Sequence, residues 1–185
     1  MDLEFSYRFE AAHRFTSSAS PKCATPHGHT WVARLILGTP PSTTSQLNSN
    51  QMLEEFTKLK SAWKSFIEET ADHSFFHHHQ DPLLLALKET IPNFRGLPFP
   101  GDPTTELISL LFYLKAESIL KPLLTNHPQS LLIKGIEIQE TPTNSVRFIP
   151  KSSLEVQELL SSLPQTDFLE SWWSQSDLYS RTLKI

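Results

Sequence analysis

Cys23-Ala-Thr-Pro-His27-Gly-His29 is the densest run of chemistry-bearing side chains, and His13 stands upstream of it. In an extended segment residues i and i+2 point the same way, so His27 and His29 can converge on one ion. His13, on the neighbouring strand of a hairpin, can complete a triangle. Three neutral imidazoles with one open position are the ligand set of a catalytic zinc site. With Cys23 as a fourth ligand the same residues make a closed, structural zinc site. The third reading is a chance cluster in a chain with eight histidines.

Other groups carry weaker signals. Asp72-His73 follows the end of a predicted helix, where the pair reads either as a solvated cap or as side chains turned back into a cleft. Adjacent positions do not easily aim three rings at one point, so His77-His78-His79 reads as a solvated run. Glu140 shares the strand parity of Ile136 and Ile138, which puts a carboxylate at the end of an apolar face. A buried carboxylate needs a partner, so Glu140 is either a surface strand end or a grip for a ligand with two adjacent N–H donors. Thr104-Thr105-Glu106 offers hydroxyls and free backbone N–H groups at a helix start, for capping or for a ligand.

These residues need elements to hold them. Leu3, Phe5, Tyr7 and Phe9 alternate with Glu4, Ser6 and Arg8, which predicts a half-buried antiparallel strand over 3–9. A second strand is expected from about Thr30 to Leu37, with an irregular loop before it and a solvated loop over 39–50. Met52, Phe56, Leu59, Trp63, Phe66 and Thr70 step by three or four, giving an amphipathic helix to about Ala71. A short helix over Pro82–Thr90 and a proline-rich loop over Ile91–Pro103 follow. A third helix starts after Asp102-Pro103, where Asp can cap and Pro suits the first position. Leu131–Glu140 and Ser145–Ile149 read as a closing hairpin. The tail holds two capping-box patterns, Ser152-x-x-Glu155 and Asp167-x-x-Glu170. The order predicts an α+β fold on an antiparallel sheet, in a domain over 1–150 with a C-terminal helical extension over 151–185.

Composition narrows the function. The chain has 185 residues, 38% hydrophobic and 19% charged, which is an ordinary globular balance. Sixteen basic against twenty acidic residues leave a net charge of −4, with no basic surplus for a nucleic-acid backbone. Five glycines build no phosphate-cradling loop. One cysteine excludes an internal disulfide and suits a reducing compartment. No secretory leader or membrane span is expected, so the expectation is a cytoplasmic protein with no nucleic-acid or membrane partner.

Ala11-Ala12-His13-Arg14, Cys23-x-x-x-His27-Gly28-His29, Asp72-His73, Pro103-Thr104-Thr105-Glu106 and Glu140-Thr141 occur in an order that resembles the 6-pyruvoyl-tetrahydropterin synthase and 6-carboxytetrahydropterin synthase family, over about residues 3–149. The three-residue spacer between Cys23 and His27 is similar to the bacterial 6-carboxytetrahydropterin synthase branch, which serves queuosine biosynthesis. The resemblance implies a tunnelling fold: a four-stranded antiparallel sheet with two main helices, assembled as homotrimers or homohexamers with active sites at subunit interfaces. It implies Zn2+ on His13, His27 and His29, and Cys23 as general base, with Asp72 and His73 completing a catalytic triad. Glu140 would anchor the pterin ring, with Thr104, Thr105 and Glu106 beside it. The implied substrate is 7,8-dihydroneopterin triphosphate, and the implied product is 6-carboxy-5,6,7,8-tetrahydropterin.

Some family positions differ. Gln51-Met52 and Glu55-Phe56 stand where the family has glycine-methionine and Asp-Phe. Phe76-His77 stands in place of Leu-Asn, and Leu107 in place of Asn. Two other readings stay open. One is a pyruvoyl-type synthase or a dihydroneopterin aldolase-like folate enzyme on the same scaffold. The other is a non-catalytic, zinc-stabilised assembly protein.

Overall fold

The computed structural model describes residues 1–40, 49, 51–52, 57–124, 131–164 and 172–176. β1 (Asp2–His13) and β2 (His27–Gly38) pair antiparallel along their whole length, from Asp2↔Gly38 to His13↔His27. The alternation in β1 holds: Phe5, Phe9, Ala11 and His13 are buried on one face. Both strands run further than their apolar alternation predicts, because cross-strand pairing carries them through the histidines.

β5 (Leu132–Thr141) adds to the other edge of β2, and β6 (Asn144–Phe148) folds back on β5, as the hairpin pattern predicts. Trp31, Ala33, Leu35 and Leu37 of β2 line up with Ile136 and Ile138 of β5 on the core face. Against that face lie α2 (Thr57–Phe66), through Leu59, Trp63 and Phe66, and α4 (Thr105–Leu124), through Ile108, Leu111 and Phe112. Among the described residues no helix is long and apolar enough to cross a membrane.

The expected four-stranded antiparallel sheet is corrected to a six-stranded mixed one, in the order β4-β3-β1-β2-β5-β6. β3 (Ser74–His78) runs parallel to the last residues of β1, and β4 (Gly96–Phe99) runs parallel to β3. Two local expectations fall with it. His77 is not part of a solvated run but sits inside β3 at 1% exposure, and the proline-rich stretch 91–103 contains β4. Pro98 is tolerated because β4 is an edge strand, where a missing N–H breaks no ladder.

The helix expected from Met52 is also different. Met52 is exposed and non-helical, residues 53–56 lie outside the described set, and the described α2 begins at Thr57. It passes into a π-helical turn over Ile67–Ala71, closed by Asp72 N–H on the Ile67 carbonyl at 2.8 Å. α1 (Pro21–Ala24) is one turn, and α3 (Leu83–Thr90) matches its prediction. Of the loop expected over 39–50, residues 41–48 and 50 lie outside the described set.

Beyond residue 150, α5 (Ser153–Ser162) begins at the first capping box, with Ser152 Oγ accepting from Glu155 N–H at 3.3 Å. The second, at Asp167, lies outside the described residues. A 3-10 turn over Trp172–Ser174 then returns to the core. Trp172 is fully buried against Phe66, Phe99 and Phe112, and its Nε1 donates to the Pro98 carbonyl at 2.8 Å. The buried Lys115 ammonium donates to the carbonyls of Trp172 and Gln175 at 2.9 and 2.7 Å.

One glycine is fixed by its surroundings. A Cβ on Gly135 would land on the Phe148 carbonyl oxygen, 2.8 Å from Ile149 Cγ1 and 3.1 Å from Ile149 Cα. Backbone cannot step aside as a side chain can, so Gly135→Ala should cost about 1–3 kcal/mol. Urea unfolding of the two proteins checks this; a midpoint unchanged by the substitution would mean that the end of β6 moves freely.

Candidate functional site

The register of the β1–β2 hairpin builds the first element of the site. His13 is directly opposite His27, and His29 follows two residues on along the same face. Directly paired residues in an antiparallel ladder project to the same side, so all three rings meet where the core face ends. Ring centroids are 4.5, 5.1 and 5.0 Å apart for His13–His27, His13–His29 and His27–His29. One nitrogen from each ring lies within 4.8 Å of the other two.

The tautomers follow from the partners. His13 Nδ1 is 3.0 Å from the Pro103 carbonyl, and His27 Nδ1 is 2.8 Å from the Thr25 carbonyl. A carbonyl only accepts, so both Nδ1 atoms carry the proton and both Nε2 atoms keep a lone pair. Burial pushes His13 down to about 4, so the ring is neutral at pH 7. Among the described residues His13 Nε2 is buried without a hydrogen bond, since the nearby Glu140 Oε1, like the lone pair, can only accept. An orphaned lone pair beside two further imidazoles fits a divalent cation of the zinc type, and carbonyls holding the distal nitrogens are what such ligands usually have.

A cleft of about 630 Å³ opens beside this triangle, lined by Cys23, His27, His29, Thr104, Thr105, Glu106 and Glu140 among others. That volume suits a small organic ligand. Glu140, which strand parity puts at the end of the apolar face, has its Oε1 3.5 Å from His13 Nε2 and 3.8 Å from His29 Nε2. Thr104 Oγ1 accepts from Leu107 N–H at 3.3 Å, so Thr104 caps α4 and forms part of the cleft wall at once. Asp102, expected as that cap, stands too far upstream and is used elsewhere. Cys23 is half-buried on α1.

Asp72 and His73 form a dyad, but not in this cleft. His73 Nδ1 donates to Asp72 Oδ2 at 2.7 Å, while Asp72 Oδ1 accepts the Glu10 N–H at 2.8 Å. Burial pushes the Asp72 carboxyl up, but these donors outweigh it and hold it below the usual range. His73 adopts a left-handed backbone at φ 56°, and its N–H donates to the Glu10 carbonyl at 2.6 Å. A strained non-glycine residue after a π-helical turn is a pattern that functional sites favour. The His73 side chain is 74% exposed and lines a second groove, of about 560 Å³, with Gly28, His29 and Arg95. Neither cleft is lined by both Cys23 and His73, and His29 borders both.

Sequence reasoning missed the residues that brace these groups. Arg95 donates from Nη2 to the carbonyls of Glu69 and Asp72 at 2.8 and 3.1 Å, tying off the π-helical turn. Asp102 binds Thr16 and Ser17, far away in sequence. No local pattern marks these bracing roles, since each residue acts on a distant segment and the Asp-Pro pattern at Asp102 points to a helix cap instead.

A model of the family described as 6-pyruvoyl tetrahydropterin synthase matches residues 2–150. Over 134 residues the chain is 28% identical to a 6-carboxy-5,6,7,8-tetrahydropterin synthase of Rickettsia bellii, covering 72% of this chain and 89% of that one. The enzyme of that name from Rickettsia conorii is 27% identical over the same shares. The structure of an uncharacterised protein from Wolinella succinogenes superposes with a TM-score of 0.59 at 19% identity, covering 80% of this chain and 97% of that one. Plasmodium falciparum 6-pyruvoyl tetrahydropterin synthase superposes at 0.51 with 18% identity, over 80% and 96%. These two likenesses are of fold. The histidine triangle, Cys23, Asp72, His73 and Glu140 all fall within the matched residues, and the chain belongs to the 6-pyruvoyl tetrahydropterin synthase family.

Proposed function

We propose that this chain is a zinc-dependent lyase of the cytoplasm that converts 7,8-dihydroneopterin triphosphate and one water molecule to 6-carboxy-5,6,7,8-tetrahydropterin, acetaldehyde and triphosphate, in a queuosine-type pathway. The observation that carries it is the convergence of His13, His27 and His29, two of which, His27 and His29, line one cleft with Cys23 and Glu140. The 6-carboxytetrahydropterin synthase names of the Rickettsia relatives support the choice of product.

Zn2+ held by the three imidazoles supplies a Lewis acid for the substrate's side-chain hydroxyls. Cys23 takes the side-chain proton as thiolate, the form in which a thiol is a base. The Asp72 carboxylate orients His73 so that Nε2 is free to exchange that proton. Since His73 looks into a different groove from Cys23, the relay is completed between copies, one chain giving Cys23 and its neighbour Asp72 and His73. The homotrimer or homohexamer that the family resemblance implies would supply that neighbour. Glu140 accepts the ring's adjacent N–H and NH2 groups, and Thr104, Thr105 and Glu106 line the wall beside it.

Incubation with dihydroneopterin triphosphate and mass analysis of the products tests the reading. Carboxytetrahydropterin with acetaldehyde is expected; a pyruvoyl product, or no turnover by zinc-loaded oligomer, overturns it. Glu140→Gln turns one acceptor oxygen into a donor facing the ring's own donors. Its affinity for a pterin should fall about tenfold to a hundredfold, the equivalent of roughly 1.4–2.8 kcal/mol, with zinc content unchanged. Zinc loss in this variant, with ring affinity kept, would move Glu140 from the substrate to the metal.

A further inference from the structure

The segment that carries Cys23 leaves β1 after His13 and rejoins the sheet at His27, with only the single turn of α1 inside it. Two carboxylates from elsewhere hold it. Near its start, Arg14 places Nε and Nη2 on the buried Asp81 carboxylate at 2.8 and 3.0 Å, and Nη1 on the Ala24 carbonyl at 3.2 Å. Two residues on, Asp102 accepts four hydrogen bonds. Thr16 gives its N–H at 2.8 Å and its hydroxyl at 2.7 Å to Oδ1, and Ser17 gives its N–H at 2.9 Å and its hydroxyl to Oδ2. The loop then closes on the cysteine, with Phe15 N–H donating to the Cys23 carbonyl at 2.9 Å.

Three consecutive residues of one segment therefore hold three parts of the site. The Asp102 carboxylate holds the Cys23 loop, the Pro103 carbonyl holds His13 Nδ1, and Thr104 forms the cleft wall. Two of these donors are backbone N–H groups that can only donate, and an ionised carboxylate accepts all four. Burial pushes Asp102 up, yet the Ser17 and Thr16 donors hold it down to about 2, so it stays ionised near neutral pH.

We propose that Asp102 is a positioning residue that sets where the Cys23 sulfur stands relative to the His13–His27–His29 triangle. It acts through Thr16, Ser17 and the Phe15–Cys23 tie. The proposal rests on the reading of Cys23 as the base.

Cys23 is the only cysteine of the chain, so a thiol reagent reports on one sulfur. The test compares zinc-loaded wild type with Asp102→Asn and Asp102→Ala, by iodoacetamide alkylation from neutral to alkaline pH, zinc content, and kcat against KM. In both variants the alkylation rate at neutral pH should change by about fivefold or more, since thiolate reactivity follows surroundings and access. The value of kcat should fall about tenfold to a hundredfold, the scale of a misplacement of about 1 Å, with KM and zinc content little altered. If the Asp102 variants fail to fold, Thr16→Val with Ser17→Ala removes two of the four donors, and a smaller change in the same direction is expected. Alkylation profiles superimposable on wild type in any folded variant overturn the proposal. Cys23→Ala retaining turnover would instead remove the reading of Cys23 as base, a separate result from the alkylation profile.

Discussion

Cys23→Ala is expected to keep about one zinc ion per chain and to lose turnover by about a hundredfold to ten-thousandfold, the range that one positioned proton-transfer group supplies. The expectation rests on the placement of the sulfur. Cys23 lines the same cleft as His27, His29 and Glu140, but the group of ligand atoms within 4.8 Å of one another contains only the three histidines. Metal analysis beside single-turnover kinetics separates the two properties. A Cys23→Ala protein that releases its zinc would establish the closed site with one cysteine and three histidines, leaving no open position for a substrate. A protein that keeps both zinc and turnover would move the base to another residue.

His13→Ala should have the other large effect. His13 is fully buried, pairs across the hairpin with His27, and presents an Nε2 that makes no hydrogen bond among the described residues, with the Glu140 carboxylate standing 3.5 Å away. Loss of a supporting hydrogen bond alone typically costs metal affinity about tenfold to a hundredfold, and loss of the ligand itself should exceed that. Zinc should leave the variant on dialysis against a mild chelator, and turnover should go with it. Added zinc should raise the thermal midpoint of metal-stripped wild type by mass action and leave that of His13→Ala unmoved. A variant that retains one zinc per chain would sink the assignment of the triangle.

Much of this site was legible because it depends on parity within three strands. His27 and His29 are two apart, His13 ends the strand that pairs with theirs, and Glu140 continues the face of Ile136 and Ile138. Period-two reasoning handles such cases. It fails for β3 and β4, whose parallel pairing depends on residues far away and whose short sequences, Ser74–His78 and Gly96–Phe99, carry a histidine run and a proline. The run at His77 reads as solvated because adjacent positions do not aim three rings at one point, yet His77 is buried inside β3 against Phe75 and Gly96. Asp102 looked like a helix cap because Asp-Pro before a helix usually is one. Thr104 took the cap, and the carboxylate was left for Thr16 and Ser17. The left-handed backbone of His73 has only a weak signature in residue type, since histidine tolerates positive φ more than most residues but rarely adopts it.

The docking of Trp172 has a consequence for the order in which the protein forms on the ribosome. Its indole fills the space among Phe66, Phe99 and Phe112, and the lysine that captures its backbone, Lys115, precedes it by 57 residues. At about 5–20 residues per second, roughly 3–11 s pass between synthesis of that lysine and of the tryptophan. Through that interval the aromatic pocket stands open, and β4, whose Pro98 carbonyl waits for the indole N–H, lacks its outer tie. The hairpin that bears the histidines can be complete long before the far side of the same core is sealed. A nascent chain stalled just short of residue 172 would therefore combine an assembled metal-ligand triangle with an exposed apolar pocket, the kind of surface on which chaperones and aggregation compete.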